Sequence, residues 1–350
     1  MRLFCRINSY MAVFLTIAVL GCGLILMAKG GDIFVDSAVR IAKLARVPEF
    51  LIGATVVAVG TTLPELLTSL TAICKGVATP AAMQELTDVA VGNAVGSMAC
   101  NIGLILALSF LLKPYPAGGR EFAVKGVFLL ICTGVLCAFA CFNGRITALE
   151  GGVLIALFAV YITINILEAV RKSRQGARGS ALDLTPSTGD FSAPAAAFCK
   201  KDKPLALAAL FLSGAACVAA GALFTVESVC RLCANLGIQE RIISVTVVAV
   251  GTSLPELVTA VTSARKGTGQ LSLGNILGAN VINVTLLLGL SATVAGGLDI
   301  DPITRGYTLW FALALAAALV IPLLVFRRTS RLQGVVLGGL YIAAMVFACA

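Results

Sequence analysis

The chain contains no histidine, a single tryptophan and few charges: 12% of its 350 residues are Asp, Glu, Lys or Arg. Without imidazole there is no His-based zinc site, no His proton relay and no Ser-His or Cys-His nucleophile pair. A soluble domain carries roughly 25% charged residues. The deficit, set against 59% hydrophobic residues and a mean hydropathy of +1.00, makes lipid the expected solvent. Only 17 residues are acidic, so each one inside an apolar run can be weighed singly. The 12 cysteines lie mostly in apolar runs, as Cys132, Cys137 and Cys141 do. There a thiol behaves as a small hydrophobe, and no disulfide framework is implied. Cys230 and Cys233 form one C-x-x-C with no second pair, so no redox or metal centre is expected there. The formal charge of +9 comes from basic residues in short loops between apolar runs. It is read as a topology signal, not as a nucleic-acid surface.

Runs of about 20 apolar residues, the length that crosses a bilayer core, recur along the chain. Ten spans are expected, at 10–28, 50–74, 89–112, 122–142, 147–170, 205–226, 241–265, 271–296, 306–326 and 332–349. Segments 30–46 and 221–237 read as helical continuations of the spans before them. The polar stretch 171–203, from "RKSRQGARGS" to "CKKDKP", reads as a cytoplasmic linker between domains 1–170 and 204–350. "VLGCG" around Cys22 resembles a lipoprotein cleavage site, but the matching run in the second half cannot be a signal peptide, so both are read as spans. With both termini outside, most of the 26 lysines and arginines fall on the cytoplasmic side, as the positive-inside rule requires.

The chain repeats itself. "TVVAVGTTLPELLTSLTAICKG" (55–76) aligns with "TVVAVGTSLPELVTAVTSARKG" (246–267) at a shift of 191, with 15 of 22 positions identical. The same shift pairs Gly30 with Gly221, Ser37 with Ser228 and Arg40 with Arg231. "GNAVGSMACNIGLILALS" (92–109) aligns with "GNILGANVINVTLLLGLS" (274–291) at a shift of 182. Five spans per half is an odd number, so the halves must insert with opposite orientation, an architecture recurrent in transporters. The expected fold is an all-α membrane protein of ten transmembrane helices in two inverted five-helix repeats.

Glu65 and Glu256 sit at equivalent places inside apolar spans. A charge at the bilayer centre costs ~2.5–3.5 kcal/mol on insertion scales, so two such residues point to function before packing. Pro64 and Pro255 precede them and cannot bond the carbonyls four residues back, at Gly60 and Gly251. Helices 2 and 7 are therefore expected to break near their middles, freeing carbonyls around 58–61 and 249–252. Free carbonyls at membrane depth are tolerated where they line a cavity or bind something. Asn93, Ser97 and Asn101 share one helical face, and Asn275, Ala279 and Asn283 repeat that stripe. The amides could also serve only to tie helices together. Every available donor is an oxygen, which selects hard ions such as Ca²⁺ or Na⁺. One Ca²⁺ or two Na⁺ would neutralise the two carboxylates.

The motifs "GTTLPEL" and "GTSLPEL", each followed by G-N-x-x-G-[SA]-x-x-x-N, resemble the α-repeats of the sodium/calcium exchanger family, within the cation/calcium antiporter superfamily. The likeness is to its compact prokaryotic type and covers all but the linker. It implies that Glu65 and Glu256 bind Ca²⁺ with the main-chain carbonyls of Thr61 and Thr252. It implies that Na⁺ uses Ala58, Thr61, Ser97, Ala249, Thr252 and the same glutamates, with Asn101 beside the centre. Alternating access would come from sliding of spans 1 and 6 against the rest. Thr62 stands where relatives carry serine and keeps the hydroxyl; Ser253 matches it in the second motif. Two departures stand out. Ala279 lacks the hydroxyl of a relative's serine. Asn283 replaces an aspartate found in potassium-dependent members, which argues against potassium coupling.

The resemblance implies an antiporter without cofactor or enzymatic activity, whose partners are Ca²⁺, Na⁺ and the bilayer. Lacking an organelle-targeting segment, the chain is expected in a prokaryotic plasma (inner) membrane. A cation/proton antiporter using the same glutamates is the alternative, although the proton exchangers resemble a G-N-x-x-E-x motif absent here. An intramembrane enzyme would need a paired aspartate or Ser/His arrangement, and a channel-like protein would be separated by a flux assay.

Overall fold

The computed structural model describes residues 2–117, 119–179, 204–235 and 249–349. The described chain is mostly helical. We label its long helices α1 (Arg2–Ala45), α2 (Glu49–Ala78), α3 (Pro80–Leu112), α4 (Arg120–Asn143), α5 (Ala148–Gly179) and α6 (Pro204–Asn235). After a short turn of helix, Ala249–Thr252, follow α7 (Leu254–Lys266), α8 (Gly269–Ala295), α9 (Thr304–Phe326) and α10 (Arg331–Cys349). Eight of the described helices are long and apolar enough to cross a membrane, and α10 is a shorter apolar helix. Span 241–265 falls partly outside the described residues, and linker residues 180–203 fall wholly outside them.

Apart from span 241–265, the expected spans lie within these helices to within a residue or so, and most of the helices run further. Helix α3 begins at Pro80, two turns ahead of its apolar run, because hydropathy marks the lipid boundary and "AAMQELTD" is helix-forming without being apolar. Helix α5 continues to Gly179, past residue 171 where the linker was expected to start. Segments 30–46 and 221–235 do continue α1 and α6, giving helices of 44 and 32 residues. At 1.5 Å per residue α1 is about 66 Å long, more than twice a hydrocarbon core of about 30 Å.

Helices α1 and α6 approach closely at glycines. A Cβ built on Gly23 would lie 2.9 Å from the Gly221 carbonyl oxygen, and one on Gly221 would lie 2.7 Å from that of Gly23. A Cβ on Gly214 would lie 3.1 Å from the Gly30 carbonyl oxygen. The repeat shift of 191 turns Gly23 into Gly214 and Gly30 into Gly221, so the crossing uses equivalent glycines from the two halves. Helix α8 is the centre of the molecule: every residue from Leu271 to Thr285 is buried. Gly274 and Gly278 bring it against the backbone of α2 at Phe50 and Ala54.

The expected break in the second helix is not found. Pro64 lies inside an α-helical run, Ala58–Ala78. Its missing N–H removes one partner, that of the Gly60 carbonyl, which a membrane helix tolerates without unwinding. The distortion sits earlier, as a widened π-turn at Gly53–Val57. In the second half there is an interruption at Ser253 (φ −88°, ψ 6°), which places Pro255 in the first turn of α7, where it has no helical donor to lose. Two more π-turns, Asn101–Leu106 and Asn283–Leu287, begin at repeat-equivalent asparagines.

Outside the helices two small ladders join residues from before and after the linker. Strand β1 (Arg145–Thr147), between α4 and α5, pairs antiparallel with β2 (Gly297–Asp299), between α8 and α9. The α3–α4 connection meets the α9–α10 connection: Ala117 N donates to Arg327 O (3.1 Å), Thr329 N donates to Tyr115 O (3.1 Å) and Tyr115 N donates to Thr329 Oγ1 (2.8 Å).

Candidate functional site

Four elements converge at the core. Helix α2 supplies Ala58, Thr61, Thr62 and Glu65; α3 supplies Asn93, Ser97 and Asn101. The Ala249–Thr252 turn and α7 supply Ala249, Thr252, Ser253 and Glu256, and α8 supplies Asn275, Ala279, Asn280 and Asn283. Glu65 and Glu256 are fully buried, and Thr62, one turn before Glu65, reaches Glu256. Among the described residues no lysine or arginine pairs with either.

The hydrogen bonds follow the repeat. Thr61 Oγ1 donates to Asn275 Oδ1 (3.1 Å), and its counterpart Thr252 Oγ1 donates to Asn93 Oδ1 (3.2 Å). Each bond joins one half to the other. Asn93 Nδ2 donates onward to the Glu65 main-chain oxygen (3.2 Å) and to Ser69 Oγ (2.9 Å). Thr62 Oγ1 donates to Glu256 Oε1 (3.4 Å), and its counterpart Ser253 is likewise buried. The amides of Asn93 and Asn275 thus do tie helices together, and they do so around the glutamates.

The centre is rich in unsatisfied polar atoms, most of them oxygens. Both carboxylate oxygens of Glu65, Glu256 Oε2, Ser97 Oγ, Asn101 Oδ1 and both amide atoms of Asn283 are buried without a hydrogen-bond partner. An unpaired buried carboxylate costs several kcal/mol, and two that repel one another cost more. A cation between them removes both penalties. Among the described residues no group of three or more His, Cys, Asp or Glu could hold a metal. A cation here would therefore take its remaining ligands from hydroxyl, amide and main-chain oxygens, the donor set of hard ions. Ala58 is buried on α2 and contributes only its backbone; Ala279 is buried on α8 and contributes no hydroxyl.

Asn280 is the residue the sequence reading missed. It is fully buried and accepts from Asn101 Nδ2 at 3.1 Å, which turns the Asn101 Oδ1 away from that bond and leaves it free. The signal was an amide in the apolar run "NVINV"; the repeat hides it, because the equivalent position is Met98.

The family model described as sodium/calcium exchanger protein matches residues 15–167 and 206–350. The inner membrane protein YrbG of Escherichia coli is 31% identical over 332 residues, covering 94% of this chain and 95% of its own. The sodium/calcium exchanger MaX1 of Methanosarcina acetivorans is 33% identical, covering 93% of this chain and 95% of its own. A solved structure of the sodium-calcium exchanger NCX_Mj, soaked with 2.5 mM Na⁺ and 0.1 mM Ca²⁺, superposes with a TM-score of 0.77 at 27% identity, covering 95% of this chain and 98% of that one. Apolar membrane-length helices, glutamates buried among oxygen donors and a match over nearly the whole length agree: this integral membrane protein belongs to the sodium/calcium exchanger family.

Proposed function

We propose that the chain exchanges Na⁺ for Ca²⁺ by alternating access at a site near the membrane midplane built on Glu65 and Glu256. The observation that carries the reading is the pair of fully buried carboxylates with three unsatisfied oxygens and no basic partner among the described residues. In lipid such a pair demands positive charge. One Ca²⁺ or two Na⁺ supplies two charges, so either cargo neutralises the site and the two compete for it. Glu65, Glu256 and the main-chain oxygens of Thr61 and Thr252 hold Ca²⁺. Ala58, Thr61, Ser97, Ala249 and Thr252 serve Na⁺ with the glutamates, and Thr62 and Ser253 set the carboxylates. Asn101 and Asn283 flank the centre.

The architecture in this reading is ten spans in two inverted five-helix repeats, 1–170 and 204–350, joined by a cytoplasmic linker, in a prokaryotic plasma membrane. The equivalent glycines at the α1–α6 crossing and the paired Thr–Asn bonds support it. The decisive experiment is ⁴⁵Ca²⁺ uptake into sodium-loaded vesicles diluted into sodium-free medium. Uptake is expected with or without potassium. Uptake driven by a proton gradient alone, and none by sodium, would replace this reading with a cation/proton antiporter.

A further inference from the structure

Lys266, in the last turn of α7, lies 2.8 Å from Asp36 Oδ1 and 3.3 Å from Asp32 Oδ1 of α1, and donates to the Asp32 main-chain oxygen at 3.1 Å. One turn away the same two helices touch, with Gly31 against Val258 and Thr262. The repeat shift of 191 converts Lys266 into Lys75, Asp36 into Glu227, Val258 into Leu67 and Thr262 into Thr71. At the equivalent place the contact is undone. Glu227 pairs with Arg231 of its own helix at 2.6 Å. Lys75 forms no ion pair among the described residues. Leu67 is 61% exposed, whereas Val258 is half-buried. Leu67, Thr68, Thr71, Ala72, Lys75 and Leu86 line an open cavity of about 420 Å³.

We propose that this open face of α2 is a docking surface for α6, and that Lys75 and Glu227 form an ion pair across it when the Lys266–Asp36 pair opens. The proposal rests on the alternating-access reading and names its two latches. Sequence-equivalent surfaces in one molecule occupy two different states, one docked and one open. In the alternating-access reading the two repeats trade roles, so the second conformation is the one in which those states are swapped. The acids are suited to switching: Arg231 lies four residues after Glu227, as Arg40 does after Asp36, so a helical turn offers each carboxylate a basic neighbour when its latch is open. The pairs are partly exposed, so each biases the equilibrium without locking it.

The test uses Thr71→Cys in a cysteine-free chain, with a membrane-impermeant thiol reagent reporting whether α2 is covered. Lys266→Met is expected to slow labelling roughly two- to five-fold, the shift a partly exposed ion pair can impose. Adding Lys75→Met to the same chain is expected to restore the rate, which separates a population shift from misfolding. Labelling unchanged by Lys266→Met, or slowed equally with Lys75→Met present, overturns the proposal. The reagent reads helix position without any ion flux. Absence of sodium-driven calcium uptake would therefore remove the exchanger reading and leave the latches to be judged on labelling alone.

Discussion

At the scale of single residues, charge balance decides. Glu65→Gln and Glu256→Gln should each abolish calcium exchange in a folded protein. With one carboxylate gone, a bound Ca²⁺ leaves a net positive charge in a buried site, and an uncompensated buried charge costs several kcal/mol. At about 1.4 kcal/mol per decade, calcium affinity should fall about 100-fold or more. Glutamine keeps the shape and one oxygen, so folding should survive. The measurement is ⁴⁵Ca²⁺ uptake normalised to monodisperse protein, and wild-type flux in either variant removes the pair from the mechanism. These glutamates were legible in the sequence because lipid makes any charge inside an apolar run expensive, and two at equivalent positions are doubly visible. Asn280 was not, because an amide costs less than a carboxylate and the repeat offers Met98 in its place.

At the scale of helices, close approach decides. Helices α2 and α8 meet where a Cβ on Gly274 would strike the Phe50 carbonyl oxygen and sit 3.0 Å from the Ala54 nitrogen. Both obstacles are backbone, which cannot rotate aside. Gly274→Ala should therefore destabilise the protein by about 1–3 kcal/mol, the usual cost of overpacking. Gly339→Ala, with no atom within 4 Å of the new carbon, should not. Melting followed by size-exclusion in detergent compares the two, and equal midpoints would show that the α2–α8 contact is not tight. Helix positions were readable from hydropathy, and helix lengths were not, since Arg2–Ala45 and Ala148–Gly179 continue as helix past the apolar runs. The proline argument misplaced the distortion in α2. It counted the missing donor at Pro64 and had no means of seeing a π-turn two turns earlier at Gly53–Val57.

At the scale of the whole molecule, the basic residues are expected to set orientation. A single cysteine placed at Ser187 in a cysteine-free chain should resist a membrane-impermeant maleimide in intact cells and react after permeabilisation. Reaction in intact cells would invert the assigned topology. The motive is the bias of lysine and arginine toward the linker side. The internal repeat was visible in the sequence alone, because 15 identities in 22 positions survive at one offset. What it could not reveal is how the halves grip each other.

That grip does not depend on the connecting peptide. Strand β1 is zipped to β2, and Tyr115 and Ala117 are bonded to Thr329 and Arg327, at two places remote in sequence from the linker. Helices α1 and α6 interlock through their glycines as well. The gene should therefore tolerate fission: two open reading frames, ending and restarting inside codons 180–203, should yield fragments that co-purify through a tag on one of them. Recovery of the tagged fragment alone would mean that the peptide, and not the interlock, keeps the exchanger whole.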